Sequence, residues 1–319
     1  MNAMASTTEL MPLWTSVSAG FTPAEITGRC RGARSWLYLA VLAYAHGDDA
    51  LAASASERAA DMDGADTVAR AAAEYLSRVD RQGRGEVYTR PDAFAAFIRG
   101  GGNVALYREL SSYLRERYET LTPQRVLDIG SGDGLALLPA VTGLGIAVDA
   151  VEPSPALAAT LAERLTAEGI DHRVWTMTVE AAMADAEVDA VRVAQSTFCL
   201  HNLAPEARAA TLRWLRSRAD RLFIAEFDIA AEPAPTPGWF TTVVERYERG
   251  LAEYADGGAL VAEGFLMPVM FGYFDSGVDH YEQTAAAWST ELAAAGFTHR
   301  ETTRLYDYWW APAVVIEAS

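Results

Sequence analysis

The run Val126-Leu127-Asp128-Ile129-Gly130-Ser131-Gly132-Asp133-Gly134-Leu135 limits what this chain can fold into more than any other stretch. An apolar run with Asp128 inside it breaks into glycines at alternating positions, and an apolar helical pattern then resumes through Leu137 and Leu138. That is the signature of strand, tight turn and helix, the opening unit of a doubly wound α/β domain. Glycine serves there because the chain reverses with unusual backbone angles and its amides must come close to a ligand with no Cβ in the way. A dinucleotide fingerprint, G-x-G-x-x-G, would need glycine or alanine where Leu135 stands, which disfavours a plain NAD dehydrogenase.

Downstream, Gly145 to Val151 forms a second strand candidate ended by Glu152-Pro153-Ser154. An acid about 20 positions beyond a glycine loop is where nucleotide-binding βαβ units place a ribose-binding carboxylate. Glu152 stands 22 residues past Gly130, and Pro153 suits the first turn of the next helix. Together with that acid, the D-x-G-x-G-x-G text from Asp128 to Gly134 resembles motif I of class I S-adenosylmethionine (SAM) methyltransferases, over about residues 100–319. The resemblance implies a doubly wound, seven-stranded Rossmann-like sheet whose last strand is antiparallel, with SAM as cofactor and S-adenosylhomocysteine (SAH) as product. It places Asp128, Gly130, Ser131, Gly132 and Gly134 around the methionine and ribose parts of SAM, and Glu152 with Pro153 at the ribose hydroxyls.

Further along, His172 to Val179 is the third strand candidate, and the family's turn after it contacts the adenine, commonly through an acid. Thr178 holds that position here, so the contact falls to Thr178, the Val179 backbone or Glu180. The fourth strand, Val188 to Ala194, ends in Gln195-Ser196-Thr197-Phe198-Cys199-Leu200-His201. Ligands of open α/β sheets sit outside the carboxyl ends of strands near the order switch. Gln195 is therefore placed at the cofactor and Phe198 at the substrate. His201 is the candidate general base, because imidazole titrates near neutral pH; the alternative is a structural or surface histidine. Cys199 reads as a small apolar filler. Glu226 and Asp228 share one side of the fifth strand candidate, Arg221 to Ile229. They are weighed as half of a magnesium site, but no further ligand set accompanies them, and no metal is expected.

Residues 1–99 form a helical segment, either a lid or a dimerising bundle, which leaves a homodimer open. Its first 20 or so residues look irregular. Helices are expected over Ile26 to His46 and then after Asp48 and Asp63 as N-caps, with a short one from Pro91. Gly100-Gly101-Gly102-Asn103 opens a helix to about Tyr118. Such an N-terminus favours anions, and family members often close this helix over the cofactor, so Asn103 and Tyr107 are put near SAM, against the alternative of a simple linker. A Pro-rich linker, Ala231 to Pro237, leads into a substrate-recognition insertion at about 231–283, where Trp239, Phe240, Phe271 and Tyr273 suit an apolar pocket wall or a local core. His280 is a second, weaker base candidate. Phe297 to Tyr306 and Tyr308 to Glu317 read as the terminal strand pair.

Composition narrows the acceptor. The net charge is −17 and all 26 basic residues are arginine. Such a chain offers no broad footprint for nucleic-acid phosphates. Two cysteines build neither a disulfide framework nor a zinc site. With no leader pattern and no apolar run near the ~20 residues of a membrane span, a cytoplasmic protein is expected. The expected function is SAM-dependent methyl transfer to an oxygen or nitrogen of a small metabolite in secondary metabolism. The alternatives are a carboxyl methyltransferase acting on a peptide or protein, which would need a pocket arginine rather than a base, and a SAM-binding protein without methyl transfer.

Overall fold

A computed structural model of the chain describes residues 3–84, 90–184, 188–229, 235–255, 258–275 and 281–319. They divide into two compact units, one of Met1–Val104 with Glu232–Asp279, the other of Ala105–Ala231 with His280–Ser319. The aromatic stretch after the Pro-rich linker therefore packs with the N-terminal helices. Residues 230–234 of that linker and His280 lie outside the described residues.

The first unit holds α1 (Ala3–Ser18), α2 (Ala33–Ala45), α3 (Asp49–Met62), α4 (Thr67–Gln82), α5 (Pro91–Ile98) and the first residues of α6 (Gly101–Leu121). Later in the chain, α11 (Pro237–Glu253), α12 (Gly258–Val261), a π-helical turn (Ala262–Leu266) and α13 (Met267–Gly272) complete it. The irregular start expected for the chain is instead helix α1. Its core anchors are Leu10 and Leu13, both buried, on either side of Pro12. Asp48 caps α3 as expected, its side chain accepting from the Leu51 amide. The cap of α4 is Asp66 rather than Asp63, which closes the end of α3. Arg34–Glu248 and the Tyr38 hydroxyl, donating to the Pro235 carbonyl at 2.6 Å, tie the early helices to the later ones.

The second unit is a seven-stranded sheet of β1 (Arg125–Ile129), β2 (Ala147–Val151), β3 (His172–Trp175), β4 (Val191–Thr197), β5 (Ala219–Phe227), β6 (Arg300–Asp307) and β7 (Pro312–Ala318). The spatial order is β3-β2-β1-β4-β5-β7-β6. β1 to β5 pair in parallel, and β7 runs antiparallel between β5 and β6. This is the Rossmann-like sheet that the resemblance implies. Strand alternation divides the core in two. Leu127, Ile129, Ala194, Leu222 and Ile224 face α9 (Val179–Ala184), α10 (Pro205–Arg218) and α14 (Ala285–Ala294). Val126, Val193, Phe223 and Ala225 face α6, α7 (Leu137–Val141) and α8 (Pro155–Ala167). The order reverses between β1 and β4, so the crevice at their carboxyl ends is where this architecture takes a ligand.

Candidate active site

The glycine turn leaves β1 with Gly130, Gly132 and Gly134 all at positive φ (70°, 55° and 84°). Their roles differ. A Cβ on Gly130 would stand 2.0 Å from the Cys199 sulfur, and one on Gly134 would stand 2.2 Å from a Leu138 methyl. Those two glycines let the turn pack on the chain beneath it. A Cβ on Gly132 would meet nothing within 4 Å, so that glycine faces open space where a ligand can approach. Glu152 holds the turn. Its carboxylate accepts from the Gly132 amide (2.9 Å) and from the Ser154 amide (2.9 Å) while 5% exposed. Pro153 links Glu152 to Ser154, the N-cap of α8.

Asp128 and Gln195 lie opposite each other in the β1–β4 register, both almost wholly buried. Tyr118 of α6 donates to the Gln195 carbonyl oxygen. The Asp128 Oδ1 atom is buried with no hydrogen-bond partner. Burial raises the Asp128 carboxyl to about 7, the neighbouring Gln195 and Ser131 side chains oppose the shift, and the Glu152 charge adds to it. Ser131 itself donates to the Asp128 carbonyl at 3.0 Å. Thr178 stands immediately before α9, its hydroxyl 3.4 Å from the Ala181 amide, and Val179 is buried in the first turn of that helix. β3 is shorter than expected because α9 begins here.

At the end of β4, Phe198 sits in the left-handed region with φ 51°. A bulky residue there costs of order 1–3 kcal/mol. The Phe198 amide donates to the Ala225 carbonyl at 2.8 Å, and the ring stacks on Phe227 with centroids 4.8 Å apart. Tyr107 meets Phe198 edge-on at 5.9 Å, and Phe227 stacks in turn on Tyr308 at 5.2 Å.

A 3₁₀ turn (Leu200–Asn202) then presents His201. Its Nδ1 lies 2.7 Å from Glu226 Oε2, and its backbone amide is 3.3 Å from Glu226 Oε1. Glu226, near the end of β5, is 2% exposed. The Nδ1–H therefore donates to the carboxylate, which leaves the Nε2 lone pair as the basic site. Burial pulls the imidazole pKa down, but Glu226, by charge and by hydrogen bond, more than reverses this. Glu282 adds to the effect and Arg208 opposes it, for a net upward shift from 6.5. Glu226, expected from the sequence to have a structural or substrate-orienting role rather than a metal, is the partner of His201, a pairing that no local spacing signals. Asp228 accepts from the Ala285 amide at 2.8 Å. Among the described residues no group of three or more His, Cys, Asp or Glu is arranged to hold a metal ion. Burial first, then the charges of Glu226, Glu152 and Asp128, pushes the Cys199 thiol up to about 12, which disfavours the thiolate.

The remaining candidates belong to the helical unit. Phe240 and Phe271 are fully buried, Phe240 against Tyr38 and Phe271 between Tyr44 and Tyr75. Trp239 meets Tyr273 edge-on at 6.1 Å. All four are part of that unit's own packing. The Asn103 amide donates to the Phe97 carbonyl and to the Tyr254 hydroxyl, and the Glu253 carboxylate accepts from the Gly102 amide at 2.9 Å. The helix start, expected from the sequence to favour an anion, thus has an internal carboxylate as a partner.

No family model matches the chain, and no curated protein does. Among solved structures it is similar to a magnesium protoporphyrin IX methyltransferase from Synechocystis PCC 6803 with bound SAM. Identity there is 15%, with 73% of this chain and 91% of that one covered at a TM-score of 0.47. It is also similar to the N-terminal domain of EvdMO1 with SAH and D-fucose (13%; 66% and 82%; 0.43) and to the methyltransferase domain of bacterial CtHen1 (11%; 67% and 99%; 0.45). The class rests on the sheet itself: strand order, antiparallel β7 and the glycine turn after β1 define a Rossmann-like methyltransferase fold.

Proposed function

We propose that this chain is a SAM-dependent methyltransferase acting on an oxygen or nitrogen of a small metabolite, with His201 as general base and Glu226 as the residue that positions it. One observation carries the reading. The hydrogen-bonded His201–Glu226 pair stands at the carboxyl ends of β4 and β5, beside the glycine turn that Glu152 braces. The residues of that turn fit the cofactor. Gly132 faces open space, the Glu152 carboxylate has lone pairs left for vicinal ribose hydroxyls, and Asp128 Oδ1 is a buried acceptor without a donor. When bound, SAM supplies an electrophilic methyl on a sulfonium.

The chain's own part is to orient an acceptor and take its proton. Glu226 fixes the imidazole tautomer and stabilises the imidazolium that forms, so that Nε2 can receive a hydroxyl proton. A carboxylate acceptor would need no base and would want an uncommitted cation. Arg208, whose charge reaches His201, is already bound to Glu291 (2.8 and 2.7 Å) and to the Leu203 and Tyr281 carbonyls. That commitment disfavours the carboxyl-methylating alternative. Free cysteines and the excess of acid support a cytoplasmic place, and the partly exposed Phe198 and Phe227 rings at the strand ends suit the apolar scaffold of a secondary metabolite.

SAH calorimetry and label transfer from methyl-labelled SAM test the proposal together. Wild type binds SAH, and His201→Ala retains that binding while losing about 10²–10⁴-fold in turnover. Undiminished turnover in His201→Ala would remove the base from the mechanism.

A further inference from the structure

We infer that the methyl acceptor is a planar phenol whose ring lies against the Phe198–Phe227 row and whose oxygen meets His201, an inference that rests on methyl transfer at this site. Alternation along β5 puts Glu226 on the face of the sheet toward α10 and α14 and Phe227 on the face toward α6. Phe198, at the end of β4, packs with the α6 side as well, where it and Tyr107 form a T-shaped pair. The 3₁₀ turn then brings His201 back to Glu226. The carboxyl ends of the same two strands thus carry a base on one flank and stacked rings on the other.

Phe198 and Phe227 remain partly exposed, whereas Tyr308, the next ring in the row, is buried. Phe227 is stacked on both faces, so it is the partly exposed rims of these two rings that the row presents at the carboxyl ends of β4 and β5. Aromatic surface of this kind prefers another ring, stacked or edge-on, to an aliphatic chain. The held backbone at Phe198 acts in the same direction: a bulky side chain kept at φ 51° by the bond to Ala225 is fixed before any ligand arrives.

Proton chemistry selects the hydroxyl. A phenol ionises near 10, within reach of an imidazole held above its ordinary value. An aliphatic hydroxyl keeps its proton near the ~16 of water, too tightly for such a base. A carboxylate would want a cation beside His201, and Arg208, the arginine whose charge reaches it, is committed to Glu291. In the step so written, the phenolic oxygen gains the methyl that the sulfonium sulfur gives up. The S–CH3 bond breaks as the O–CH3 bond forms, the sulfur keeps the bonding pair as a neutral thioether, and the phenolic proton passes to His201 Nε2 and then to solvent.

Matched naphthalene probes test this. Full-length protein is first titrated with SAH, which examines the cofactor reading separately. It is then given methyl-labelled SAM with 2-naphthol, 2-naphthalenemethanol, 2-naphthylmethylamine or 2-naphthoic acid in turn. Label is expected on 2-naphthol at least about tenfold faster than on any of the others. With SAH binding intact, no transfer to 2-naphthol, or equal transfer to another probe, overturns the phenol and leaves the cofactor reading standing. Absence of SAH binding overturns both. Phe227→Leu, which keeps apolar volume and removes the ring, is expected to raise the KM for 2-naphthol about tenfold with kcat within about twofold, and Phe227→Tyr to keep the KM low. An unchanged KM in Phe227→Leu overturns the role of the ring row. The wild-type comparison decides the acceptor class whatever the fold of the variants.

Discussion

Gly130 and Gly132 share a backbone conformation and differ in what stands over them. In Gly130→Ala the new methyl is forced against the Cys199 sulfur at 2.0 Å in addition to the strain at φ 70°. Overpacking and strain together are expected to cost about 3 kcal/mol, read as a lower urea midpoint. Gly132→Ala carries the conformational cost alone, about 1–2 kcal/mol, and stays folded. Its methyl occupies the open side of the turn, so SAH calorimetry is expected to lose binding in a protein that still melts cooperatively. Normal SAH affinity in Gly132→Ala would show that no ligand approaches that turn. At Asp128 the sign runs through burial. The unfolded chain releases this proton near 3.8 and the native one near 7, so wild-type stability falls as pH rises through that window. Asp128→Asn removes the fall. It is expected to match wild type near pH 4 and to exceed it by up to about 4 kcal/mol above pH 7, measured by urea unfolding at both pH values.

Among elements, the strands beside the glycine turn are readable because each is a short apolar run with a turn at its end. The His201–Glu226 pair is not readable in that way. It needs β5 beside β4 in one register and a 3₁₀ turn to swing His201 back, and nothing local in the text specifies either. The aromatic stretch from Trp239 to Tyr273 reads equally well as pocket wall or core, and its partners, Tyr38, Tyr44 and Tyr75, lie far away in sequence. Helix α1 has the spacing of a helix in Leu10, Leu13, Trp14 and Val17, but Pro12 stands inside that run and argues locally against it. The sheet's outer strands depend on a buried charge cluster. Asp149 of β2, wholly buried, accepts from Arg125 of β1 (2.7 Å) and Arg173 of β3 (2.8 Å), while both arginines reach solvent. That asymmetry ranks the variants. Asp149→Asn frees two cations that can hydrate and is expected to cost about 1–2 kcal/mol. Arg125→Met with Arg173→Met strands a buried carboxylate and is expected to cost about 3–5 kcal/mol. Denaturant midpoints that reverse this order would remove the cluster as a support of the β1–β2–β3 register.

At the scale of the molecule, 43 acids stand against 26 arginines, so the chain repels itself at neutral pH, and more so as pH rises. Asp128 and His201 work in the same direction. Asp128 costs the native state more as pH rises, up to about pH 7. His201, held above 6.5 chiefly by Glu226 against its burial, contributes stability that is complete below 6.5 and lost as pH passes its raised native value. Salt separates these contributions. The screening length falls from about 30 Å at 0.01 M to about 8 Å at 0.15 M, which quenches repulsion between surface carboxylates and leaves Asp128 and His201 almost untouched. Salt also weakens exposed ion pairs such as Arg304–Asp307, each worth about 0–1 kcal/mol. With the net charge at −17, relief of repulsion outweighs that loss. The melting temperature at pH 8 is therefore expected to rise by several degrees between about 0.01 and 0.15 M sodium chloride. Near pH 5, where the chain carries less net negative charge, the rise is smaller. A melting temperature that falls with salt at pH 8 would mean that the arginine–carboxylate pairs, rather than the excess of acid, set the electrostatic balance of the fold.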